Sequence, residues 1–567
     1  MAAESGWFYF GLGVAGFGAS LFLVPLQAYL TDEAPDEKRG AVLSASSLLN
    51  NLGGMVGVFL QAGFQKLGVS PQTQLLIASV LVIWITVFVM RLLPRQFVRF
   101  LIEEIVRRFY RVEAFHPERM PREGGVLLVP NHVSFVDVLV LSLASPRHVR
   151  FLMIRRFFDV PVVGQLARMF DTIAISPSRA KDAIRLAAEA LEEGSVVCIF
   201  PEGQLTRTGM LNEIKSGYSL IARKAKCPIL PVYMDGLWGS IFSPQQGRFF
   251  WKKPSEIPRK VRVSFGEVCE QKTDYETLRV ELSRQAAWAI SKRPESGRSL
   301  SDLISAAKLN EEVLFWWQEG ELRRCCWGEV KKVLDGVREP EQVASGHEGA
   351  RRWLSGWREM KAMSDEEFRA VVCNASQWME PGDCGDRRYA TLVHSGVDEA
   401  VWQVWGMLLP LLLRTSVVVM DEGDDLESLI GLQDRLPLRN VVGGSGLRSF
   451  LDAGGERLRD LQHHDFDGEV QAEPVEVVPR YRGMVFEGKL IAISMPDPPL
   501  IRQSDLRQPG WKEGSYGRVL SGIMVEQCGE GLCLTNPMWE EPRMLEGFWM
   551  DEEGFLHRVE EKEKGRQ

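Results

Sequence analysis

The chain is expected to be multidomain: three N-terminal transmembrane helices, a central α/β domain with a mixed sheet, and a second α/β domain at the C-terminal end. Three observations lead there. Ser5–Thr31, Ala41–Gln65 and Leu67–Met90 follow one another without a charged side chain. From about residue 121, short apolar runs alternate with amphipathic stretches, the pattern of strands interleaved with helices. The 567 residues leave room for about three or four domains.

Each uncharged segment is long enough to cross a bilayer, which takes about 20 helical residues. Lone Pro25 and several glycines are tolerated there, because neighbouring helices satisfy the backbone. No basic region precedes the first segment, so a signal peptide is a poor reading. Lys38 and Arg39 lie in the first link, and Arg91, Arg95, Arg99, Arg107, Arg108 and Arg111 follow the third segment. The excess of basic residues on the cytoplasmic side then places the C-terminal bulk in the cytoplasm. Over Gln96–Val112, Phe97, Leu101, Ile105 and Phe109 form a stripe flanked by arginines. That suits a helix in the headgroup layer, or one packed on the next domain.

Composition narrows the rest. A net charge of −8 gives no global signal for nucleic acid. Nine cysteines without a C-x-x-C pair read as reduced thiols in a cytosolic environment. The eight histidines are dispersed, and no metal site is expected.

In the central domain, residues 121–290, strands are expected at Val126–Val129, Phe151–Ile154, Thr172–Ile175, Ser195–Phe200, Ile229–Tyr233 and Val261–Phe265. Helices are expected at Phe135–Leu143, with Ser134 as N-cap, and at Arg179–Glu193. Chemistry in such a fold gathers at strand ends. The first strand runs into Asn131-His132-Val133-Ser134-Phe135-Val136-Asp137, an imidazole with a carboxylate five residues on. Chance alone supplies such a spacing about half the time in a chain like this. A second polar block, Phe200-Pro201-Glu202-Gly203-Gln204-Leu205-Thr206-Arg207-Thr208-Gly209, also leaves a buried strand. Glu202 could organise a polar network there, while Arg207 and Lys215 could hold an anion or simply face solvent.

Imidazole, with a free pKa of about 6.5, can take a proton from an alcohol at neutral pH. Asp137 would fix its tautomer. No G-x-S-x-G elbow marks a serine nucleophile; Ser134 is the rival candidate.

NHVSFVD, FPEGQLTRTG and the ILPVYMDGLWGSIFS run, in that order, resemble the glycerophospholipid acyltransferase family over about residues 100–290. The Gln204-Leu205 variant with Asp235-Gly236-Leu237-Trp238-Gly239-Ser240 resembles the acyltransferase half of the bifunctional 2-acylglycerophosphoethanolamine acyltransferase/acyl-carrier-protein synthetases. The resemblance implies acyl transfer from an acyl carrier protein or coenzyme A thioester to a lysophospholipid hydroxyl. His132 and Asp137 would be catalytic, and Asn131, Ser134, Arg179, Glu202, Gly203, Arg207 and Lys215 would bind substrate. One departure stands out: Ser176 falls where the family has an arginine, and Arg179 is the substitute on offer. The alternatives are acylation of lysophosphatidate, or a scaffold with a dead site. Residues 18–54 resemble the closing helices of a major facilitator carrier, which implies an anchor.

Residues 291–390 read as helical, at Leu303–Leu309, Glu311–Trp317 and Asp365–Val372. Strands Ala390–Val393 and Val417–Met420 then flank an apolar helix, Val401–Leu413. Residues 391–567 resemble the large subdomain of acyl-adenylate-forming enzymes through Thr391–Met420, GSYGRVLSG (Gly514–Gly522) and GFWMDEEGFLHR (Gly547–Arg558). A Ser/Thr/Gly-rich loop with a following lysine is missing, and the chain stops before the small subdomain with the family's catalytic lysine. A degenerate, non-adenylating domain is expected, with no cofactor and no use of ATP.

Overall fold

The computed structural model describes residues 38–70 and 95–559, together with isolated positions between 27 and 84. It leaves out 177–179, 246–251, 253–255, 379–389, 448–461, 466–479, 499–507 and a few shorter stretches. The chain forms two compact units, one of 1–109 with 156–172, the other of 110–155 with 173–567.

In the first unit, helix α1 (Arg39–Lys66) is long and apolar enough to cross a membrane, and none of its residues is buried. Of the other two expected spans, Ser5–Thr31 lies outside the described residues save isolated positions, and Leu67–Met90 is described only in short helical patches. The carrier-like stretch is described only from residue 38 on, again save isolated positions. Helix α2 (Arg95–Phe109) packs on a later helix, Pro161–Met169, with the Arg99 guanidinium 5.2 Å from the Phe170 ring centre. Its Ile105 and Phe109 stay exposed.

The second unit opens with a strand where a helix is expected. The expected helix over Gln96–Val112 ends at Phe109, and Tyr110–Phe115 is a strand, β1. Tyr110 is buried, and Val112 and Ala114 pair in register with Val261 and Val263. Pairing along a sheet edge overrides the helical period that this segment continues.

The sheet has seven strands: β1, β2 (Val126–Pro130), β3 (Val149–Ile154), β4 (Ile173–Ile175), β5 (Val196–Cys198), β6 (Ile229–Asp235) and β7 (Arg259–Phe265). Their order is β1-β7-β6-β2-β5-β3-β4. Pairing is parallel throughout except β6 against β7, so the expected mixed sheet is present. Strands β2 and β5 are buried on both faces, which is why they read as unbroken apolar runs. Leu127, Val129, Val197 and Ile229 share a core with Ala187, Ala190, Leu191, Tyr218, Ile221, Leu278 and Leu282. These last come from helices Ala180–Glu192, Gly217–Ala225 and Tyr275–Ser291. Because β6, β2 and β5 are adjacent and parallel, the segments leaving their C-terminal ends emerge on one edge.

The helix after β2 starts at Asp137, two residues later than expected, and ends at Ala144, one residue later. The Asp137 carboxylate draws in the backbone N–H groups of Val133 and Ser134, at 2.7 and 2.9 Å, and holds the preceding residues in a turn. Ser134 is therefore not the N-cap; its Oγ accepts from Val136 N at 3.4 Å.

The C-terminal part of this unit is built on an eleven-stranded sheet, with a three-stranded sheet beside it. The expected helix Glu311–Trp317 is a strand, Glu312–Gln318, paired with Glu321–Cys326. Glu319 and Gly320, both at positive φ, make the tight turn between them. The 291–390 segment is thus no separate helical piece, since its hairpin joins the same sheet as Ala390–His394 and Val417–Met420. Helix Asp365–Trp378 is present, with Ser364 and Glu367 bonding each other's backbone N–H. The apolar run Glu399–Leu413 is a helix with a π-turn segment, packed into the protein core. Trp327, Trp353 and Trp357 stack edge to face in that core, and Trp353 Nε1 donates to the Gly406 carbonyl at 2.6 Å.

Candidate active site

Three segments meet at the shared edge of β6, β2 and β5. From β2 comes His132. Its Nδ1 lies 2.9 Å from Asp137 Oδ2, and the imidazole stacks on Phe200 with ring centres 3.9 Å apart. Asp137 is fully buried, whereas the His132 side chain keeps 19% exposure. With Nδ1 committed to a carboxylate, Nε2 is the nitrogen left to meet a substrate proton.

From β5 comes Glu202, which holds the histidine's backbone instead of its ring. His132 N donates to Glu202 Oε1 at 2.8 Å, and Thr206 N donates to the His132 carbonyl at 2.8 Å. The other carboxylate oxygen of Glu202 accepts from Asn212 N and Nδ2, at 3.1 and 2.8 Å. Burial pushes the Glu202 carboxyl up, and the donors from His132 and Asn212 oppose that rise.

The end of β6 and the segment that follows it, through Phe242, brace the first block. Asn131 gives both side-chain amide atoms to Met234, as donor to its carbonyl at 3.1 Å and acceptor from its N–H at 2.7 Å. Ser134 Oγ is 3.4 Å from Ser240 Oγ, and Phe135 N donates to the Phe242 carbonyl at 3.2 Å. The Arg259 guanidinium donates to the Gly236 and Trp238 carbonyls.

The sequence-derived residues therefore divide. His132, Asp137 and Glu202 come together as one constellation. Asn131 and Ser134 brace the backbone around it. Gly203 is exposed at a φ of +70°, with the Lys215 ammonium lying across it, 3.5 Å from where a Cβ would stand. Arg207 is buried, with its backbone N donating to Gln508 Oε1 at 2.8 Å. Arg179 lies outside the described residues. Asn212, Gln508 and Arg518 escaped sequence reasoning. Asn212 had one faint signal, an amide in the apolar run Met210-Leu211-Asn212. The other two act from some 300 residues away, as their bonds to Arg207 and Asn212 show. Among the described residues no cluster of three or more His, Cys, Asp or Glu side chains is arranged to hold a metal.

Gly209, at a φ of +78°, packs against Trp238, and a Cβ there would stand 2.9 Å from the indole. Gly209→Ala is expected to destabilise the fold by about 1–3 kcal/mol through strain and the shifted indole. A thermal melt checks this; an unchanged midpoint would mean the loop is not held against Trp238.

Residues 111–235 match the family model described as Acyltransferase. A chloroplast 1-acyl-sn-glycerol-3-phosphate acyltransferase of Brassica napus is 28% identical over 132 residues, which is 23% of this chain and 38% of that protein. An uncharacterised protein of Mycobacterium leprae is 31% identical over 208 residues, 30% of this chain and 53% of that one. The chain thus spans about two-fifths to one-half of the length of these relatives. Among solved structures, the 1-acyl-sn-glycerophosphate acyltransferase of Thermotoga maritima aligns at 20% identity, covering 35% of this chain and 82% of that one, with a TM-score of 0.27. The O-succinylbenzoate coenzyme A synthetase of Bacillus subtilis aligns at 9% identity, covering 47% and 78%, with a TM-score of 0.33. The three strands whose ends carry the polar blocks, β2, β5 and β6, all lie within the residues that match the Acyltransferase model.

Proposed function

We propose that the chain is a membrane-bound O-acyltransferase. It moves a fatty acyl group from an acyl carrier protein or coenzyme A thioester to the free glycerol hydroxyl of a lysophospholipid, at the cytoplasmic face of the membrane. The observation that carries this reading is the His132–Asp137 pair, held through its backbone by Glu202 at the sheet edge.

In the mechanism, His132 Nε2 takes the proton of the glycerol hydroxyl as its oxygen attacks the thioester carbonyl. The C–O bond forms and a tetrahedral oxyanion results. Its collapse breaks the C–S bond, and the imidazolium returns its proton to the departing thiolate. Asp137 keeps the proton on Nδ1 beforehand and offsets the imidazolium charge afterwards. No covalent enzyme intermediate is needed.

Membrane association draws support from α1, apolar and unburied along its length, and from the exposed Ile105 and Phe109 of α2. The acceptor we favour is lysophosphatidylethanolamine, in phospholipid recycling, on the strength of the Gln204-Leu205 variant and the Asp235–Ser240 run. A second reading, lysophosphatidate, draws on the Brassica napus relative, a 1-acyl-sn-glycerol-3-phosphate acyltransferase. The C-terminal half takes no part in adenylation in this proposal.

The test is a panel of lysophospholipids given to membranes holding the full chain, with either thioester as donor. Transfer to lysophosphatidylethanolamine is expected at least tenfold faster than to lysophosphatidate. The reverse preference selects the second reading, and no transfer to any acceptor leaves a scaffold.

A further inference from the structure

The Gly514–Gly522 motif has no duty in the chemistry described so far, yet it delivers a buried guanidinium to the acyltransferase edge. Strand Ser515–Val519 carries Arg518, which is 2% exposed. Gly517 precedes it at a φ of +106°, where a Cβ would meet the Ile493 backbone at 2.5 Å. Only glycine lets the strand run that close to its neighbour, and this close approach sets where Arg518 emerges.

Arg518 reaches the acyltransferase domain through its terminal nitrogens. One donates to Asn212 Oδ1 at 2.8 Å and to Thr208 Oγ1 at 3.4 Å; the other donates to the Pro509 carbonyl at 3.1 Å. Arg279, also buried, donates to the Asn212 carbonyl at 2.7 Å and to the Glu552 carbonyl at 3.1 Å. Gln508 adds a third tie, accepting from Arg207 N and donating to the Leu205 carbonyl, both at 2.8 Å. The loop from Glu202 to Asn212 is thus fastened along its length by the C-terminal part of the chain.

Asn212 is the hinge of this arrangement. Its amide must point Nδ2 at Glu202 and Oδ1 at Arg518, since the opposite orientation would set an oxygen against the carboxylate. Arg518 therefore fixes which way Asn212 faces, Asn212 fixes Glu202, and Glu202 holds the backbone N–H of His132. Burial lowers the Arg518 guanidinium to about 10, with Arg279 pushing the same way and Glu553, Asp551 and Glu202 opposing. A cation kept in so costly a place is matched to neighbours, since a buried charge without partners is unfavourable.

We propose that Arg518 is a positioning residue for acyl transfer, acting through Asn212 and Glu202 on His132, so that the C-terminal domain is a working part of the acyltransferase centre. The inference rests on the acyltransferase reading above.

The experiment uses the full chain in membranes. Two readouts are taken: acyl-transfer kinetics, and the rate at which diethyl pyrocarbonate modifies His132, followed on its peptide by mass spectrometry. Arg518→Met is expected to lower kcat about 10- to 100-fold with KM for both substrates little changed. Arg518→Lys should restore part of the loss. Asn212→Ala together with Arg518→Met should be no worse than the worse single variant, because both cut the same chain of contacts. Gln508→Ala, which removes no charge, should lower kcat about 3- to 10-fold and stands in if Arg518→Met does not fold. The variants should also change the His132 modification rate at least threefold. Folded variants with unaltered kcat, or additive effects in the double variant, would overturn the proposal. If the unaltered chain transfers no acyl group, the acyltransferase reading fails by itself. The His132 modification rate then decides, and equal rates across the variants would overturn the positioning role.

Discussion

His132→Ala is expected to lower kcat by about a thousandfold while leaving the fold intact. In the proposed transfer the activity loss follows from the base: a glycerol hydroxyl keeps its proton at neutral pH, and a positioned base contributes about 10²- to 10⁴-fold. The preserved fold follows from where the structural bonds lie. Glu202 and Thr206 hold the backbone N–H and carbonyl of residue 132, and alanine keeps both groups. The imidazole itself adds one bond to Asp137 and one stacked contact with Phe200. Asp137→Asn should also cost activity, and it loosens the turn, because Asp137 Oδ2 accepts from Val133 N and Ser134 N as well. Kinetics and a thermal melt on the same preparations separate the two outcomes. A His132→Ala chain that transfers acyl groups at a near-normal rate would remove the histidine from the chemistry.

The parts of this site that sequence could show are those in which one strand end carries its own chemistry. His132 and Asp137 lie on either side of a single turn, and Glu202 follows the adjacent parallel strand, so a buried run with a polar terminus was signal enough. The strands themselves were legible for the same reason, as buried parallel strands leave continuous apolar runs. Strand β1 was not legible, because Tyr110–Phe115 continues the helical stripe of α2 and becomes a strand only by pairing with β7. The Glu312–Gln318 strand was missed because Phe315-Trp316-Trp317 is apolar without a period, and short apolar runs fit either element. Its Glu319-Gly320 turn was the better clue.

Where a basic side chain on a loop comes to lie is set by the fold and not by its charge. Arg207 and Lys215 carry charge and stand near Glu202 in sequence, but charge does not say which way a loop turns. Arg207 sits buried in a loop that Gln508 ties down, while Lys215 lies across the exposed Gly203. A basic side chain on such a loop can serve a ligand or a neighbouring part of the chain. Only the fold brings Gln508 and Arg518 to that loop.

Asp235→Ala should be the most damaging substitution for stability at the site's edge, at about 3–5 kcal/mol. Asp235 ends β6, is 2% exposed, and faces two buried guanidiniums. Arg293 donates to its two oxygens at 2.5 and 3.1 Å, and Arg262 donates to Oδ2 at 3.2 Å. Removing the carboxylate leaves both cations in the protein interior with no counter-charge at that point. It also frees the start of the Gly236–Ser240 turn, whose Ser240 Oγ lies against Ser134 Oγ. Burial alone would raise the Asp235 carboxyl, but Arg293 and then Arg262 outweigh it and hold it below the usual carboxylate range. A depressed carboxyl contributes stability that is present above its unfolded value of about 4 and is lost as pH falls through the folded value. The gap between the unaltered chain and Asp235→Ala should therefore be widest at neutral pH, roughly 10 °C in melting temperature. It should close as the solution is acidified below about pH 4. Melts at pH 7 and at pH 3 measure this, and a gap of the same size at both would show that Asp235 contributes packing and not charge.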